Sequence, residues 1–311
     1  MTGPLTRSTI VVVTWRGKDH VSACLDAVAA QTRPHRLLVV DNASDDGTAD
    51  VLATHPARPE VLRLPANAGY AGALAAVTVV TEFTAWLNDD AEPAPDWLAA
   101  LEDALDQRKE AAAAGSRMVA ADGTVISLGV GLTADGHGVD LVDEAPVFGF
   151  CGGAALLRTE ALRRAGGVPA RFFCYYEDTD TAWRLRLANH TIVSVPAARV
   201  VHRHGASTRP GSRLFHLWNE RNRLAMLIRC APAGVAAREV ARFAAITALL
   251  PLRGRTGRRP WNFRVGLRLR VLRELVASLP QLLRERKAVT DLAETPRSAV
   301  WRAARSPISP G

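Results

Sequence analysis

The sequence has 311 residues, enough for one large or two ordinary domains. Its 48% hydrophobic and 23% charged residues suit a soluble globular protein able to bury a real core. No stretch reaches the roughly 18 apolar residues of a membrane span, and no apolar core of signal-peptide length precedes Arg7, so neither an integral protein nor a signal-directed secreted one is expected. None of the four cysteines (Cys24, Cys151, Cys174, Cys230) forms a CxxC pair. That removes a disulfide framework and a zinc site and leaves a reducing, cytoplasmic compartment as the simplest setting. The net charge of +8 is unevenly spread, with +14 on residues 211–311 and −6 on residues 1–210. An acidic body could hold a cation, and a basic tail would meet something anionic.

In chain order, Thr9–Thr14 is a β-branched run that predicts a buried strand. Asp19–Gln31 follows as a helix with Val21, Cys24, Leu25 and Val28 at helical spacing, ended by Pro34. Arg36–Val40 is a second strand stopped by Asp41, and a polar turn to Thr48 leads into a helix over Ala49–Thr54. Val61–Leu64 is a third strand, Pro65–Gly72 opens a helix over Ala73–Val80, Phe83–Leu87 is a fourth strand, and a helix follows over Asp96–Gln107. Strands alternating with helices imply a parallel sheet with right-handed crossovers.

The rhythm then changes. Met118–Ala121 and Val125–Leu128 flank Asp122-Gly123 as a hairpin, and Gly129–Asp140 reads as a mobile loop. Val147–Leu157 reads as a strand whose Gly149, Gly152 and Gly153 let something approach closely. Arg158–Ala165, closed by Gly166-Gly167, and Thr181–Ala188 are predicted helices, and Ile192–Val195 is a short strand before Pro196. From Ser212 onward strand signals vanish. Helices are predicted over Leu214–Ile228 and Ala236–Leu250, then a basic hinge over Leu249–Pro260. A helix over Trp261–Leu279 follows, with an apolar stripe at 265, 269, 272, 276 and 279 and Arg264, Arg268 and Arg273 off it. The tail from about residue 296, rich in Ser and Pro, is expected to be disordered. There are no internal repeats.

Chemistry concentrates where the fourth strand stops, at Asn88, Asp89, Asp90 and Glu92. In an open α/β sheet the carboxyl rim of the strands is where ligands bind. Three crowded carboxylates repel one another and a divalent cation would compensate them; a solvated turn capping the next helix is the other reading. Asp41 ends the second strand, placed either to accept hydrogen bonds from a base or ribose or to cap the following helix. The first strand runs into Thr14-Trp-Arg-Gly-Lys-Asp rather than Gly-x-Gly-x-x-Gly, so nicotinamide chemistry loses ground. Asn67-Ala-Gly-Tyr-Ala-Gly72 and Gly152-Gly153 would let a ligand lie against backbone, or simply open a helix. Glu177-Asp178-Thr-Asp180 follows two aromatics, and an apolar wall raises a carboxylate's basicity toward the range useful to a general base. Capping is the alternative, and it is the reading favoured for Asp180. His202 and His204 follow a strand end, and at most one of them is expected to be a ligand.

Taken in order, these stretches resemble the inverting family 2 glycosyltransferases, nucleotide-sugar-dependent enzymes of the GT-A fold. The carriers are Val12-Val-Thr14, Val39–Thr48, Asn67–Gly72, Leu87–Asp90, Gly152–Arg158, Phe172–Asp180 and Val200–Ser207, spanning about two thirds of the chain. The resemblance implies an α/β GT-A domain over 1–210, a mostly parallel sheet flanked by helices, and a basic helical region over 211–311. It implies that Asp41 reads the nucleotide base and that Thr14, Asn67, Gly69, Asp89, Gly152, Gly153 and Glu177 contact the nucleotide sugar. Asn88-Asp89-Asp90 falls on the family's DxD place, with Asn88 in the first position as in many rhamnosyl-type members. Asp90 would be the direct ligand of Mg²⁺ or Mn²⁺, joined by Asn88 and His202, and Asp178 falls on the general base.

The implied activity is transfer of one sugar, from deoxythymidine diphosphate rhamnose or a uridine diphosphate sugar, to a hydroxyl of a glycan or polyprenyl-linked acceptor in cell-surface polysaccharide synthesis. A non-catalytic sugar-nucleotide-binding or scaffold protein is the alternative; a nucleotidyltransferase would need a Gly-rich, Lys/Arg-bearing loop that is missing. Gln281-Leu-Leu-Arg284 is followed by Glu285 and not by the Trp of processive members, so single addition is expected. The basic tail resembles acceptor-side extensions of relatives acting on polyprenyl-linked sugars. Peripheral contact of 240–290 with an anionic membrane at the inner face, packing on the catalytic domain and pairing in a homo-oligomer all stay open. No nucleic-acid motif accompanies the basic patch, and nucleic acid is not an expected partner.

Overall fold

The computed structural model describes residues 6–203, 211–252 and 260–304. His204, the rest of the Val200–Ser207 stretch beyond Arg203, and hinge residues 253–259 lie outside the described residues.

A β-branched run buried on both faces is what a central parallel strand requires, and β1 (Ser8–Thr14) is buried throughout. Ile10 and Val12 face one apolar layer, Val11 and Val13 the other, following the two-residue period of a strand. Around β1 the chain lays down α1 (Val21–Ala29), β2 (His35–Asp41), α2 (Thr48–Thr54), β3 (Glu60–Arg63), α3 (Gly69–Ala75) and β4 (Phe83–Asn88). β1 pairs in parallel with both β2 and β4, so Thr14 stands beside Asp41 and Val13 beside Asn88 at the carboxyl rim. The α1 residues predicted to face the core, Val21, Cys24, Leu25 and Val28, are all buried.

Beyond β4 come β5 (Ala91–Pro93), α4 (Trp97–Gln107), β6 (Ala111–Val119), β7 (Val125–Ser127), β8 (Val130–Leu132), β9 (Gly138–Asp140), β10 (Ala154–Arg158), α5 (Thr159–Arg164), α6 (Glu177–Leu187) and β11 (Thr191–His202). The sheet order is β3-β2-β1-β4-β10-β6-β11-β5, with β7 added to β6. β10 runs antiparallel between β4 and β6, and the parallel β6–β11 pair continues the sheet. One apolar layer, with α1 and α4, packs on one face; α3, α5 and α6 contribute to the other. The basic region forms α7 (Arg213–Cys230), α8 (Ala233–Leu249), α9 (Val265–Asp291) and α10 (Arg297–Ala303).

Several expectations need correction. The α3 helix lies at Gly69–Ala75 rather than Ala73–Val80, because the glycine turn itself is its first turn. Residues 129–140 form a two-stranded antiparallel sheet, β8 with β9, rather than a mobile loop. The Val147–Leu157 strand is regular only from Ala154, while the glycine stretch before it is irregular. The α6 helix starts at Glu177, four residues early, putting its three acids in the first turn where the helix dipole favours them. The end of β6 is the first arm of the expected hairpin, with Met118 and Val119 paired to β7. Its start was not expected: Ala111–Ala114 carries little intrinsic strand preference, and burial of all four residues decides it. β11 runs through Pro196, with its register slipping between Val195 and Arg199 as strand prolines require.

Within the tail expected to be disordered from about 296, α10 is helical and buries Val300 and Trp301, and residues 305–311 lie outside the described residues. Trp301 stacks on Trp183 of α6, centroids 5.7 Å apart. A second apolar cluster of α7, α8, α9 and α10 residues includes Trp183 and Leu187 from α6. At the same junction Asp180, fully buried, accepts from Arg184 Nε at 2.7 Å and from Arg229 Nη1 of α7. Burial alone would raise its pKa, but Arg229 and Arg184 hold the carboxyl below the usual range. Asp180 therefore clamps α6 to α7 instead of capping its own helix. Asp180→Ala is expected to cost about 3–5 kcal/mol in denaturant unfolding, because two arginines lose a buried partner. A carboxyl with a depressed folded pKa stabilises above its unfolded pKa and less as pH falls, so the wild-type loss of stability below about pH 4 should be shallower in the variant.

Candidate active site

The rim collects the predicted residues from distant parts of the chain. Asp41, 1% exposed, accepts from the Ser44 amide at 2.9 Å, and the Arg63 guanidinium lies 3.3 Å from its other oxygen without hydrogen-bond geometry. Thr14 is buried and its hydroxyl finds no hydrogen-bond partner. Asn67 does not reach into open space: its Oδ1 accepts from Asn42 Nδ2 and from the Gly69 amide, so it shapes the turn. Gly69 has φ +73° and a side chain there would meet the Phe173 carbonyl at 2.2 Å, so the turn packs on the loop before α6.

The crowded acids are separated. Asp89 lies 3.2 Å from His20 Nε2, and that carboxylate pulls the imidazole's pKa up. Asp90 Oδ1 lies 3.0 Å from His202 Nε2, and Asn88 Nδ2 lies 3.1 Å from the same nitrogen. Glu92 turns outward and pairs with Arg203 at 2.7 Å. Each acid thus has its own basic neighbour. Among the described residues no three His, Cys, Asp or Glu side chains converge to hold a metal ion unaided. Asp90 and His202, both buried, still offer a carboxylate and an imidazole nitrogen 3.0 Å apart, with the Asn88 amide beside them. That donor set suits a magnesium-like ion, which takes one or two protein ligands and fills its octahedron with phosphate oxygens and water.

Gly152-Gly153 joins this group to α6. The Asn88 amide donates to the Gly153 carbonyl at 2.9 Å, and a Cβ on Gly153 would meet Asn88 Nδ2 at 3.1 Å. One residue earlier, the Gly152 amide donates to Asp178 Oδ2 at 2.9 Å, and a Cβ there would meet Asp178 Cβ at 3.1 Å. Tyr70 of α3 donates to the Gly152 carbonyl at 2.6 Å. The Thr179 hydroxyl donates to Asp178 Oδ1 at 3.0 Å. Burial raises the Asp178 pKa against these hydrogen bonds. Glu177 is buried with Oε2 unpartnered, and burial, then the Asp178 charge, push it up to about 8. Two adjacent carboxyls therefore differ: Glu177 keeps its proton at neutral pH, while three donors serve Asp178.

His20, Gly17 and Tyr70 were missed as site residues. A side chain on Gly17 would strike Thr14 Oγ1 at 2.2 Å and Asp89 Oδ2 at 2.7 Å, so glycine lets the chain pass over the rim there. For Gly17 and His20 the only signal in the sequence was that a Gly and a His follow the first strand, whereas Tyr70 lies inside the Asn67–Gly72 stretch already singled out.

The mostly parallel, curled central sheet with an antiparallel β10 is that of the GT-A fold, which solved structures share. The fold is similar to that of GalNAc-T7 with UDP, GalNAc and Mn²⁺ (TM-score 0.60, 12% identity, 90% of this chain and 58% of that one). It is also similar to mannosyltransferase PcManGT from Pyrobaculum calidifontis in complex with GDP-Man and Mn²⁺ (0.54, 19%, covering 96% and 86%). A third likeness is to S. aureus TarS 1-349 in complex with UDP-GlcNAc (0.56, 17%, covering 96% and 92%). The glycosyl transferase family 2 domain matches residues 9–166, and the chain belongs to that family and is a glycosyltransferase. In sequence it is 28% identical over 235 residues (64% of this chain, 76% of the relative) to the N-acetylglucosaminyl-diphospho-decaprenol L-rhamnosyltransferase of Mycobacterium tuberculosis.

The buried Glu177 carries a stability consequence. Its folded pKa of about 8 lies above the ordinary 4.5, so the fold binds a proton that the unfolded chain releases as pH rises between those values. Glu177→Gln should melt like the wild type near pH 4 and at a higher temperature near pH 8, as measured by thermal unfolding across that range.

Proposed function

We propose that the protein transfers one sugar from a nucleotide-sugar donor to an acceptor hydroxyl in a single inverting displacement. The observation that carries the reading is the Gly152-Gly153 step, which sets Asn88 of the acid cluster and Asp178 against adjoining residues. Asp41, at the end of β2, would accept hydrogen bonds from the base, and Thr14, Gly69 and Asp89 would line the nucleotide. Asn67 would act through the turn it holds, keeping Gly69 and the backbone beside it in place. Asp90 and His202, with Asn88, would hold Mg²⁺ or Mn²⁺. When bound, such an ion neutralises the charge that develops on the departing nucleoside diphosphate.

Asp178 would take the proton of the acceptor hydroxyl as that oxygen attacks the anomeric carbon from the face opposite the leaving group. Its burial suits the task, since a carboxylate lifted above its ordinary pKa is a stronger base. Glu177, still protonated, would leave Asp178 as the one charge at that point and could donate a hydrogen bond to a sugar oxygen. Residues 1–210 would form the catalytic domain and 211–311 the helical region that braces it, in a cytoplasmic protein. The mycobacterial relative's name supports a deoxythymidine diphosphate rhamnose donor and a polyprenyl diphosphate-linked acceptor, hence a step in cell-surface glycan assembly. A uridine diphosphate sugar is the competing donor, and a donor panel decides between them.

Asp178→Asn should lower transfer about a hundred- to ten-thousand-fold while calorimetry still reports nucleotide binding; undiminished turnover would refute the base assignment. In the wild type the rate should fall on acidification with a midpoint above about pH 4, since the base must be ionised and its pKa is raised. Asp90→Ala should weaken donor binding in the presence of Mn²⁺ by about tenfold or more and change binding without the ion far less. Equal loss in both conditions would sink the metal role.

A further inference from the structure

Most of the apolar stripe that the sequence places on α9 does not face the protein. Leu267, Val271, Leu275, Leu282 and Val289 are the apolar residues that α9 buries against the other helices. A different face leaves Leu269, Val276, Leu279 and Leu283 exposed, Val276 by 68%, with Val265 half-buried in line with them and Leu272 at the edge, packed partly against the helices. Alternate steps of four and three residues from 265 to 283 make this one continuous row along the helix. Exposed large apolar residues in a row mark an interaction surface.

The charges around the row say what covers it. Arg273, Arg284 and Lys287 are exposed beside it. The only acids of α9 before its last residue, Glu274 and Glu285, are tied to Arg221 and Arg270, and to Arg229, respectively. Lys287 is paired with Asp291 at 3.2 Å, which leaves Arg273 and Arg284 as the excess positive charge. Two copies of such a helix laid row to row would set those arginines against each other. An anionic lipid surface has the opposite sign and accepts the apolar row as well. Leu249, Leu252 and Phe263 extend the apolar exposure at the start of α9. Arg268 fixes that end, donating to Thr247 Oγ1 at 2.9 Å and to the Asn262 carbonyl at 3.1 Å. Among the described residues no helix is long and apolar enough to cross a membrane, so contact would be from the side.

We propose that the outer face of α9 docks the protein flat on an anionic bilayer, with the leucine and valine row inserted and the arginines at the headgroups. The inference stands on α9 alone; it meets the proposed function only in that a lipid-linked acceptor would lie at the same surface.

The test is co-sedimentation of the full chain with vesicles of phosphatidylcholine alone or mixed with phosphatidylglycerol, at low and high salt. The wild type should sediment with the anionic vesicles, less at high salt and weakly with the neutral ones. Val276→Gln with Leu283→Gln, and separately Arg273→Glu with Lys287→Glu, should each weaken binding by about tenfold. All four positions are exposed, so nucleotide binding measured in solution should be unchanged and shows that the variants are folded. Variants that bind vesicles like the wild type would overturn the proposal. So would a wild type indifferent to lipid charge, or a dimer seen by light scattering that Val276→Gln with Leu283→Gln turns into monomer. A failed donor assay leaves these binding results intact, so the two readings fail separately.

Discussion

The architecture depends on one close backbone passage, Gly152-Gly153 running between the Asn88 amide and the Asp178 carboxylate. Neither glycine has space for a side chain without pushing on the candidate site. The passage exists because β10 enters the sheet antiparallel to β4, which brings the residues before Ala154 to the rim where β4 ends. A parallel strand at that position would deliver its leading residues to the opposite edge. The reversal in the sheet is thus what sets the end of β4 and the start of α6 against adjoining glycines.

The helical region is part of that arrangement rather than an appendage. Asp180 sits two residues from Asp178, and its carboxylate is held by Arg184 of its own helix and Arg229 of α7. Arg229 also reaches Glu285 of α9 at 2.8 Å. Asn222 of α7 donates to the carbonyls of Phe172, Cys174 and Tyr175, the loop that leads into α6. That loop carries Phe173, Tyr175 and Tyr176 at positive φ, conformations that non-glycine residues adopt only where the surroundings over-determine them. The asparagine contacts and the buried ion cluster supply that determination. Strain in the loop and rigidity in α7 are two sides of one device, which fixes the direction in which Glu177 and Asp178 leave the helix.

Two neighbouring acids sit in different surroundings, for a reason visible in their contacts. Asp178 accepts from a main-chain amide of another element, from the next amide and from a hydroxyl, whereas Glu177 Oε2 accepts nothing. Burial raises both, and it is opposed in Asp178 by bonds from the Gly152 amide and the Thr179 amide and hydroxyl, in Glu177 only by one main-chain bond. Adjacent positions in sequence can therefore hold two carboxyls in different hydrogen-bonding surroundings without any difference in local composition.

The sequence by itself determined the strands that are apolar on both faces, the alternating order from β1 to β4, the acids at the ends of β2 and β4, and the glycines that announce close approach. Those features follow from local patterning: a buried strand must be continuously apolar, and polar residues stop it at the rim. Only the tertiary structure decided that Ala111–Ala114 is a strand, because alanine has no strand preference and burial between neighbours chose it. It also decided that His20 meets Asp89, that Asn67 serves its own turn, and that Asp180 clamps two helices. Likewise α9 has two apolar rows, and no periodicity tells which is buried. Contacts between residues far apart in the chain are set by how elements pack, and a one-dimensional pattern carries no record of the neighbour that packing will supply.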